Sequence, residues 1–284
     1  MPAATAAATA NTAAALTDAR VAAFHERGFV LGPRLLDDAT IATLRDEVER
    51  VIADRDRADV AQPVLCRNLS GDDDNFVWQI VNIWQASDAF RRLLFDFGLG
   101  AMAARLMGAR EVRLWHDQVQ HKPPRKGGTN WWHQDSIYWP PIQPKDQQVT
   151  AWIALDDADP DNGCMSMTPG SHRWGDRMNL LHTLQKEHGN AGFLTCLPPA
   201  LDGHDVAVVH APVPAGAVHL HHALTWHGSQ ANTSGRPRRA IAIHMATEQT
   251  VLDPAQGNHP MTRFATDPGP APLAGDAFPL LHRA

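Results

Sequence analysis

The sequence has little of what defines several large classes of protein. Its three cysteines, Cys66, Cys164 and Cys196, lie far apart and form no C-x-x-C pair, which argues against a disulfide scaffold and a thiolate zinc site. No apolar run reaches the roughly 18 residues that a membrane span needs. The net charge is −6 without a lysine or arginine cluster, so no electrostatic surface for nucleic acid or an anionic membrane is expected. These absences favour a cytoplasmic protein that binds neither nucleic acid nor a membrane.

The composition supports a folded chain with one unusual end. Of the 284 residues, 44% are hydrophobic, so a sizeable core is expected and global disorder is excluded. Residues 1–15 are a low-complexity Ala/Thr tract, which we predict to be a disordered tail. The tract has neither the basic segment nor the apolar run of a signal peptide. The rest, 16–284, is predicted to form a single domain.

The hydrophobic pattern changes at Gly108. Before it, helical periodicity follows the possible caps Thr17, Asp37 and Ser87. After it, apolar and polar residues alternate in short runs separated by Pro, Gly, Asn and Asp clusters, which is typical of a β-sandwich or barrel. We therefore predict a mainly β fold with flanking α-helices. Its parts are a helical N-terminal part over 16–108, a β core over 109–250 with a helix near 177–188 in a long insertion, and a loop-rich tail over 251–284.

Histidine is abundant, with 16 residues, but only a spacing that suits a metal would give this excess a function. His133 and Asp135 lie two residues apart in a strand-like run, so their side chains are expected on the same face. Further along, His227 and Arg238 flank a turn signal at 232–235. If the two flanking strands form a symmetric hairpin, His227 and Arg238 lie opposite one another.

Two histidines and one carboxylate on one side of a metal, with its other positions open, are the facial triad of non-haem Fe(II) oxygenases. The open positions admit a bidentate 2-oxo acid and dioxygen. A nearby arginine suits the far carboxylate of 2-oxoglutarate, because a guanidinium holds a carboxylate bidentately. The pattern thus predicts Fe(II) bound by His133, Asp135 and His227, with Arg238 as the carboxylate clamp. Arg239 is the rival for this role, but strand alternation turns it to the opposite face.

Several ordered motifs resemble the phytanoyl-CoA dioxygenase family of Fe(II)- and 2-oxoglutarate-dependent oxygenases. The motifs are KPP at 122–124, WHQDSIYWP at 132–140, TAWIALDD at 150–157, NGCM at 162–165, PGSH at 169–172 and HGS at 227–229. The resemblance implies a double-stranded β-helix (jelly-roll, cupin-like) core. It also implies that Ser229 is a second contact to the cosubstrate carboxylate, and that Gln118 and Trp152 touch the cosubstrate.

Other residues near the motifs have alternative interpretations. Tyr138 and Trp139 are candidates for lining the substrate pocket, or they pack at the barrel rim. Among His219, His221 and His222, at most one or two can approach the metal, and the alternative is a purely structural role. Three tryptophans adjacent to the ligands, Trp131, Trp132 and Trp226, are predicted to shield the metal pocket.

The resemblance and the motifs together predict a dioxygenase that uses Fe(II), 2-oxoglutarate and O₂ to hydroxylate a small-molecule substrate, releasing succinate and CO₂. Desaturation or cyclisation by the same chemistry is an alternative. So is a jelly-roll sensor that binds metal and 2-oxoglutarate without turnover. A cupin-like zinc or iron enzyme without 2-oxoglutarate is disfavoured by Arg238.

Overall fold

The computed structural model describes residues 16–71 and 76–284. The predicted disordered tail, residues 1–15, lies outside the described residues. No helix within the described ranges is long and apolar enough to cross a membrane.

The described residues form five α-helices, and three of these begin at a residue whose side chain caps the first turn. Thr17, Asp37 and Ser87 each accept a hydrogen bond from the backbone N–H three residues ahead, which satisfies an otherwise unpaired donor of the first turn. Gly28 ends the first helix in a left-handed conformation (φ 84°), where a Cβ would lie 2.5 Å from the Thr225 hydroxyl oxygen. The helices are α1 (Asp18–Arg27), α2 (Asp38–Ala53), α3 (Asp88–Asp96), α4 (Leu99–Met107) and α5 (Met178–His188).

Two antiparallel sheets form the core of the fold. The strands are β1 (Phe29–Arg34), β2 (Leu65–Asn68), β3 (Trp78–Val81), β4 (Glu111–Lys122), β5 (Asn130–His133), β6 (Ile142–Gln143), β7 (Gln148–Ala154), β8 (Met165–Met167), β9 (Ala200–Leu201), β10 (His204–Asp205), β11 (Val209–Ala211), β12 (Ala217–His222), β13 (His227–Ser229), β14 (Arg238–Thr247), β15 (Val251–Leu252), β16 (Ala271–Pro272) and β17 (Leu280–Arg283). The large sheet has the order β1-β12-β7-β14-β4-β3-β2, with β17 also paired to β4, and the smaller sheet has the order β11-β8-β13-β5. Short strands pair in the orders β16-β15-β6 and β10-β9.

Alternation along the strands gives the large sheet two different faces. On its outer face, apolar side chains such as Ile153 and Ile241 join the helices in one buried cluster, which includes Leu44 and Val48 of α2. On its inner face, Trp152 and Ala242 pack with residues of the smaller sheet in a second cluster. The polar side chains of the inner face therefore point into the space between the two sheets.

Some local predictions differ from the structure. The part predicted to be helical, 16–108, also contains β2, and the tail predicted to be loop-rich, 251–284, contributes β15, β16 and β17. The large sheet thus includes strands from outside 109–250. Such strands are hard to predict, because an edge strand is stabilised by pairing with its neighbour more than by a strong hydrophobic alternation of its own. The helix predicted near 177–188 is confirmed as α5.

One buried acid, Asp117 on β4, gives the fold a testable pH dependence. Its carboxyl group accepts hydrogen bonds from the backbone N–H groups of Ile83 (2.9 Å) and Trp84 (3.4 Å), and burial raises its pKa to about 7.

The Asp117→Asn variant should change how stability responds to pH. Because the native pKa lies above that of the unfolded chain, Asp117 contributes stability that is present at low pH and is lost as pH rises toward 7. The unfolding free energy of the wild type, relative to the variant, should fall between pH 5 and 7.5 by up to about 1.4 kcal/mol per pH unit. Urea denaturation at several pH values measures this difference. Parallel stability curves for the two proteins would contradict the prediction.

Candidate metal and cosubstrate site

Three of the predicted residues converge at one point between the sheets. His133 ends β5, His227 begins β13, and the two are register partners. Gln134 is extended (φ −122°, ψ 123°), so Asp135 returns to the face of His133 although the strand has already ended. Asp135 Oδ1 lies 3.7 Å from His133 Nε2 and 3.5 Å from His227 Nε2, and the three ligand atoms all lie within 4.8 Å of one another.

The backbone fixes which nitrogen of each histidine can bind a metal. His133 Nδ1 donates to the carbonyl of Trp131 (2.6 Å), and His227 Nδ1 donates to the carbonyl of Thr225 (2.9 Å). Since a carbonyl only accepts, each Nδ1 carries the hydrogen and each Nε2 presents a lone pair. Burial lowers the pKa of His133 to about 4 and also lowers that of His227. Both imidazoles are therefore neutral near pH 7, which is the form that binds a metal.

Asp135 uses its two oxygens differently. Oδ1 faces the two Nε2 atoms, while Oδ2 accepts hydrogen bonds from the Thr150 hydroxyl (2.9 Å) and from His221 Nε2 (3.1 Å). Burial alone would raise the pKa of Asp135, but His227, His221 and His244 together lower it well below its usual value. The carboxylate is thus ionised and oriented, as a metal ligand needs to be.

The three neighbouring histidines of β12 have different roles. His221 contacts Asp135, whereas the ring of His219 stacks on Phe29 (5.6 Å between centroids). His222 Nε2 donates to the carbonyl of Asp146 (3.2 Å). Of the two alternatives that the sequence left open, a contact with the predicted ligand Asp135 applies to His221, and a structural role applies to the other two.

A pocket with two buried cations lies beside the triad. The guanidinium of Arg238 donates to the Ser229 hydroxyl (3.3 Å), and its Nε has no hydrogen-bond partner in the structure. Lys122 Nζ donates to the same hydroxyl (2.7 Å) and to the carbonyls of Ser229 and Gln230. Neither cation has an ion-pair partner within residues 16–71 and 76–284. Burial lowers the pKa of Arg238 to about 10 and that of Lys122 well below its usual value.

Two uncompensated buried cations are costly, because a desolvated charge is stable only with a partner of opposite sign. The far carboxylate of 2-oxoglutarate supplies such a partner, and the free Nε of Arg238 supplies a donor for it. The donor set of two neutral imidazoles and one carboxylate likewise fits iron. The residues present therefore fit both groups. Sequence analysis assigned no role to Lys122, although it shares the inner face of β4 with Gln118 by alternation.

Arg238 and His227 reach the same cavity by a different route from the predicted one. The hairpin prediction is wrong, because β13 pairs in the smaller sheet while β14 pairs in the large sheet. The chain between them crosses from one sheet to the other, and both residues line the cavity between the sheets. Arg239 points away and forms ion pairs with Asp156 (2.9 Å) and Glu49 (3.2 Å), as strand alternation predicts.

A cavity of about 540 Å³ connects the triad with Arg238 and Ser229. The predicted contacts Gln118 and Trp152 both line it. The ring centroid of Trp152 lies 5.6 Å from the guanidinium carbon of Arg238. The amide oxygen of Gln118 accepts a hydrogen bond from the amide nitrogen of Gln79 (2.7 Å). Tyr138 is 51% exposed at the rim, and Trp139 is buried on the wall. Both of these therefore lie where a substrate could touch them.

Only one of the three tryptophans beside the ligands faces this cavity. Trp131 lines it, on the same face as His133. Trp132 instead donates from Nε1 to the carbonyl of Phe193 (2.6 Å), and Trp226 packs edge-on against Trp174. The prediction that all three shield the metal pocket is wrong for Trp132 and Trp226. Each is the immediate neighbour of a ligand, so strand alternation turns it to the opposite face.

Four further residues of the site were missed or left without a function in sequence analysis. Thr150, His116, His244 and His259 all line the cavity. His244 shares the parity of Arg238 on β14, which is a usable sequence signal, whereas His259 lies in a loop and has no such signal.

A jelly roll that presents two histidines, a carboxylate and a buried arginine on its inner face defines the class of 2-oxoglutarate-dependent non-haem iron oxygenases. The family model described as phytanoyl-CoA dioxygenase (PhyH) matches residues 24–240. The chain belongs to the phytanoyl-CoA dioxygenase family. Both the predicted family and the predicted jelly-roll core are confirmed.

Similar sequences span different parts of the chain. An ectoine dioxygenase of Bordetella parapertussis is 27% identical over 259 residues, which cover 87% of this chain and 80% of that protein. A phytanoyl-CoA dioxygenase domain-containing protein 1 homolog of Caenorhabditis briggsae is 31% identical over 145 residues, or 50% of this chain. The chain spans about half, 49%, of the length of that relative.

Similar solved structures cover nearly the whole chain. The non-haem α-ketoglutarate-dependent carbocyclase SnoK from nogalamycin biosynthesis has a TM-score of 0.74 at 27% identity, covering 95% of this chain and 98% of that one. The epimerase SnoN, in complex with Fe³⁺, α-ketoglutarate and nogalamycin RO, has a TM-score of 0.70 at 25% identity, covering 98% of this chain and 100% of that one.

Proposed function

We propose that this protein is an Fe(II)- and 2-oxoglutarate-dependent dioxygenase that hydroxylates a small molecule. The observation that carries the proposal is that a metal-type triad and the buried Arg238, which has no ion-pair partner among the described residues, line the same cavity. When bound, iron with 2-oxoglutarate and O₂ supplies the oxidising chemistry, and the reaction converts substrate, 2-oxoglutarate and O₂ into hydroxylated substrate, succinate and CO₂.

Each residue has a defined task in this proposal. His133, Asp135 and His227 hold the metal through Nε2, Oδ1 and Nε2, and they leave its remaining positions free. Thr150 and His221 hold Asp135 Oδ2 and so keep Oδ1 turned toward the histidines.

The cation pocket binds and orients the cosubstrate. Arg238 and Ser229 hold its far carboxylate, and Lys122 fixes the Ser229 hydroxyl through a hydrogen bond of its own. Trp152 and Gln118 line the path from this pocket to the triad, and Trp131 and Tyr138 border the space left for the substrate. Burial of the pocket excludes water that would otherwise screen the cations.

A second outcome of the same chemistry is cyclisation or epimerisation. It is favoured by one observation, the near-complete structural match to the carbocyclase SnoK and the epimerase SnoN. Product analysis separates the outcomes, because hydroxylation adds 16 mass units to the substrate, cyclisation and desaturation each remove two hydrogens, and epimerisation leaves the mass unchanged.

Substrate-dependent succinate release tests the proposal. We expect the purified protein with Fe(II), 2-oxoglutarate and O₂ to release succinate, and the rate to rise at least about 10-fold when a true substrate is added from a panel of amino acids, small acids and natural-product intermediates. Omitting Fe(II) is the control. A protein that binds 2-oxoglutarate tightly but releases no succinate with any compound would favour the sensor interpretation.

A further inference from the structure

A row of imidazoles crosses the inner face of the large sheet next to the triad. His221 is paired with Thr150, Thr150 with His244, and His244 with His116, across four neighbouring strands. His259 extends the row, with its ring centroid 5.4 Å from that of His116. His244 lies six positions after Arg238 on β14, which is about 20 Å of strand. The row therefore lies well away from the cation pocket.

The hydrogen bonds fix the tautomer of three of these rings, His244, His116 and His259. Thr150 gives its only hydrogen to Asp135, so its oxygen accepts from His244 Nδ1 (2.8 Å), and His244 Nε2 carries a lone pair. His116 Nδ1 donates to the carbonyl of Asp117 (3.3 Å), so its Nε2 also carries a lone pair, and that buried atom has no partner in the structure. An unpaired buried acceptor of this kind calls for a ligand or a water molecule.

His259 is the other tautomer, with its hydrogen on Nε2. Its Nδ1 accepts from the backbone N–H of Met261 (3.2 Å), so its Nε2 carries the hydrogen. The three rings together offer two acceptors and one donor. A hydroxyl group both donates and accepts, so neighbouring hydroxyls match this set, whereas an ammonium has no acceptor and a carboxylate has no donor.

The surroundings of the row are aromatic and uncharged. Trp139 meets His244 and His116 edge-on, at 4.7 and 5.6 Å between centroids, and Trp115 stacks on His259 at 5.1 Å. Apart from histidines, the charged side chains lining the described part of the cavity are Arg67, Asp135 and Arg238. Asp135 belongs to the triad, Arg238 belongs to the cation pocket, and Arg67 is exposed at the rim and donates to Gln79 (2.9 Å).

We propose that His116, His244 and His259 form a specificity subsite that holds a neutral, hydroxyl-bearing ring of the substrate beside the metal. The proposal rests on the proposed function, since it places the substrate relative to the metal and the cosubstrate. Flat aromatic walls and a mixed set of acceptors and donors fit either a sugar-like polyol or a hydroxylated aromatic ring.

Binding of defined probes to the protein without added metal tests the subsite independently of turnover. We would titrate 2,3-dihydroxynaphthalene and a methyl hexopyranoside, each against its O-methylated counterpart, and include a naphthoate and a naphthylmethylamine as charged probes. Ligand-observed NMR gives each Kd. At least one hydroxylated probe should bind about 10-fold or more tightly than its O-methylated counterpart and than the charged probes, because masked hydroxyls cannot donate to the two lone pairs. Which of the two hydroxylated probes binds more tightly distinguishes an aromatic ligand from a polyol.

Two variants assign the preference to the subsite. His116→Phe keeps an aromatic ring against Trp139 but removes the free lone pair. His259→Asn keeps a side-chain acceptor for the N–H of Met261, and so preserves the local turn, but withdraws the Nε2–H from the cavity. Each should reduce the affinity for the hydroxylated probe about 10-fold. His204→Phe, at an exposed ring stacked on Trp174, is the matched control and should leave it unchanged.

Several results would overturn the subsite. They are equal binding of hydroxylated and O-methylated probes by the wild type, binding of neither hydroxylated probe, tightest binding of a charged probe, or an unchanged preference in His259→Asn. Failure of the proposed function would look different, because the wild type would then bind no 2-oxoglutarate in a parallel titration.

Discussion

Asp135→Ala and His133→Ala are each expected to lose iron and to reduce substrate-dependent succinate release to background. Among residues 16–71 and 76–284, Asp135 provides the only carboxylate oxygen facing the two Nε2 atoms, at 3.5 and 3.7 Å, so its removal leaves two neutral nitrogens to hold the metal. Loss of a residue that merely orients a ligand weakens metal binding by about 10- to 100-fold, and loss of a ligand should cost at least that much. Metal content after desalting, measured by atomic absorption, gives the result directly.

The control for this prediction is His188→Ala, which removes an exposed histidine at the end of α5 and should leave the iron content at its wild-type value. Thermal melting without metal separates loss of the site from loss of the fold. Unchanged iron content in both His133→Ala and Asp135→Ala would show that the metal site has been assigned wrongly. Iron loss with intact melting in both would support the assignment.

Much of the triad follows from the sequence because strand parity is a local rule. His133 and Asp135 share a face through one extended residue, and Arg238 is distinguished from Arg239 by the same alternation. The same rule indicates which tryptophans face the cavity. It places Trp132 and Trp226 on the opposite face, because each directly precedes a histidine of the triad. Parity therefore predicts orientation wherever the strand itself is correctly located.

Partners across sheets do not follow from local rules. A turn between two strand-like runs predicts a hairpin, but β13 and β14 belong to different sheets, so the pairing of His227 is with His133 rather than with a residue of β14. For the same reason, the contact of Lys122 with Ser229 and that of Thr150 with Asp135 depend on strand order, which the sequence alone does not contain. Weak edge strands such as β2 form because the sheet offers them a partner.

Arg238→Met should change two measured quantities in opposite senses. Affinity for 2-oxoglutarate should fall about 100-fold or more, because the far carboxylate loses a charge-assisted partner inside a buried pocket. The unliganded protein should instead become more stable, because the substitution removes a desolvated cation whose Nε has no partner and whose pKa burial lowers to about 10. Replacing a buried charge by an apolar side chain gains about 1 kcal/mol or more, or roughly 2 °C in Tm for a chain of this size. Isothermal titration and thermal melting measure the two effects.

Arg239→Met is the matched control, since it carries the same substitution one residue along the same strand. Arg239 pairs with Asp156 and Glu49 on the outer face, so its loss should lower Tm and leave the affinity for 2-oxoglutarate within about twofold of wild type. The two variants should therefore show opposite effects. Arg238→Met should lose affinity for the cosubstrate and gain stability, whereas Arg239→Met should keep that affinity and lose stability. Wild-type affinity in Arg238→Met would exclude Arg238 as the carboxylate clamp. A lower Tm in Arg238→Met would show that its buried charge is compensated in the unliganded protein, which the unpaired Nε argues against.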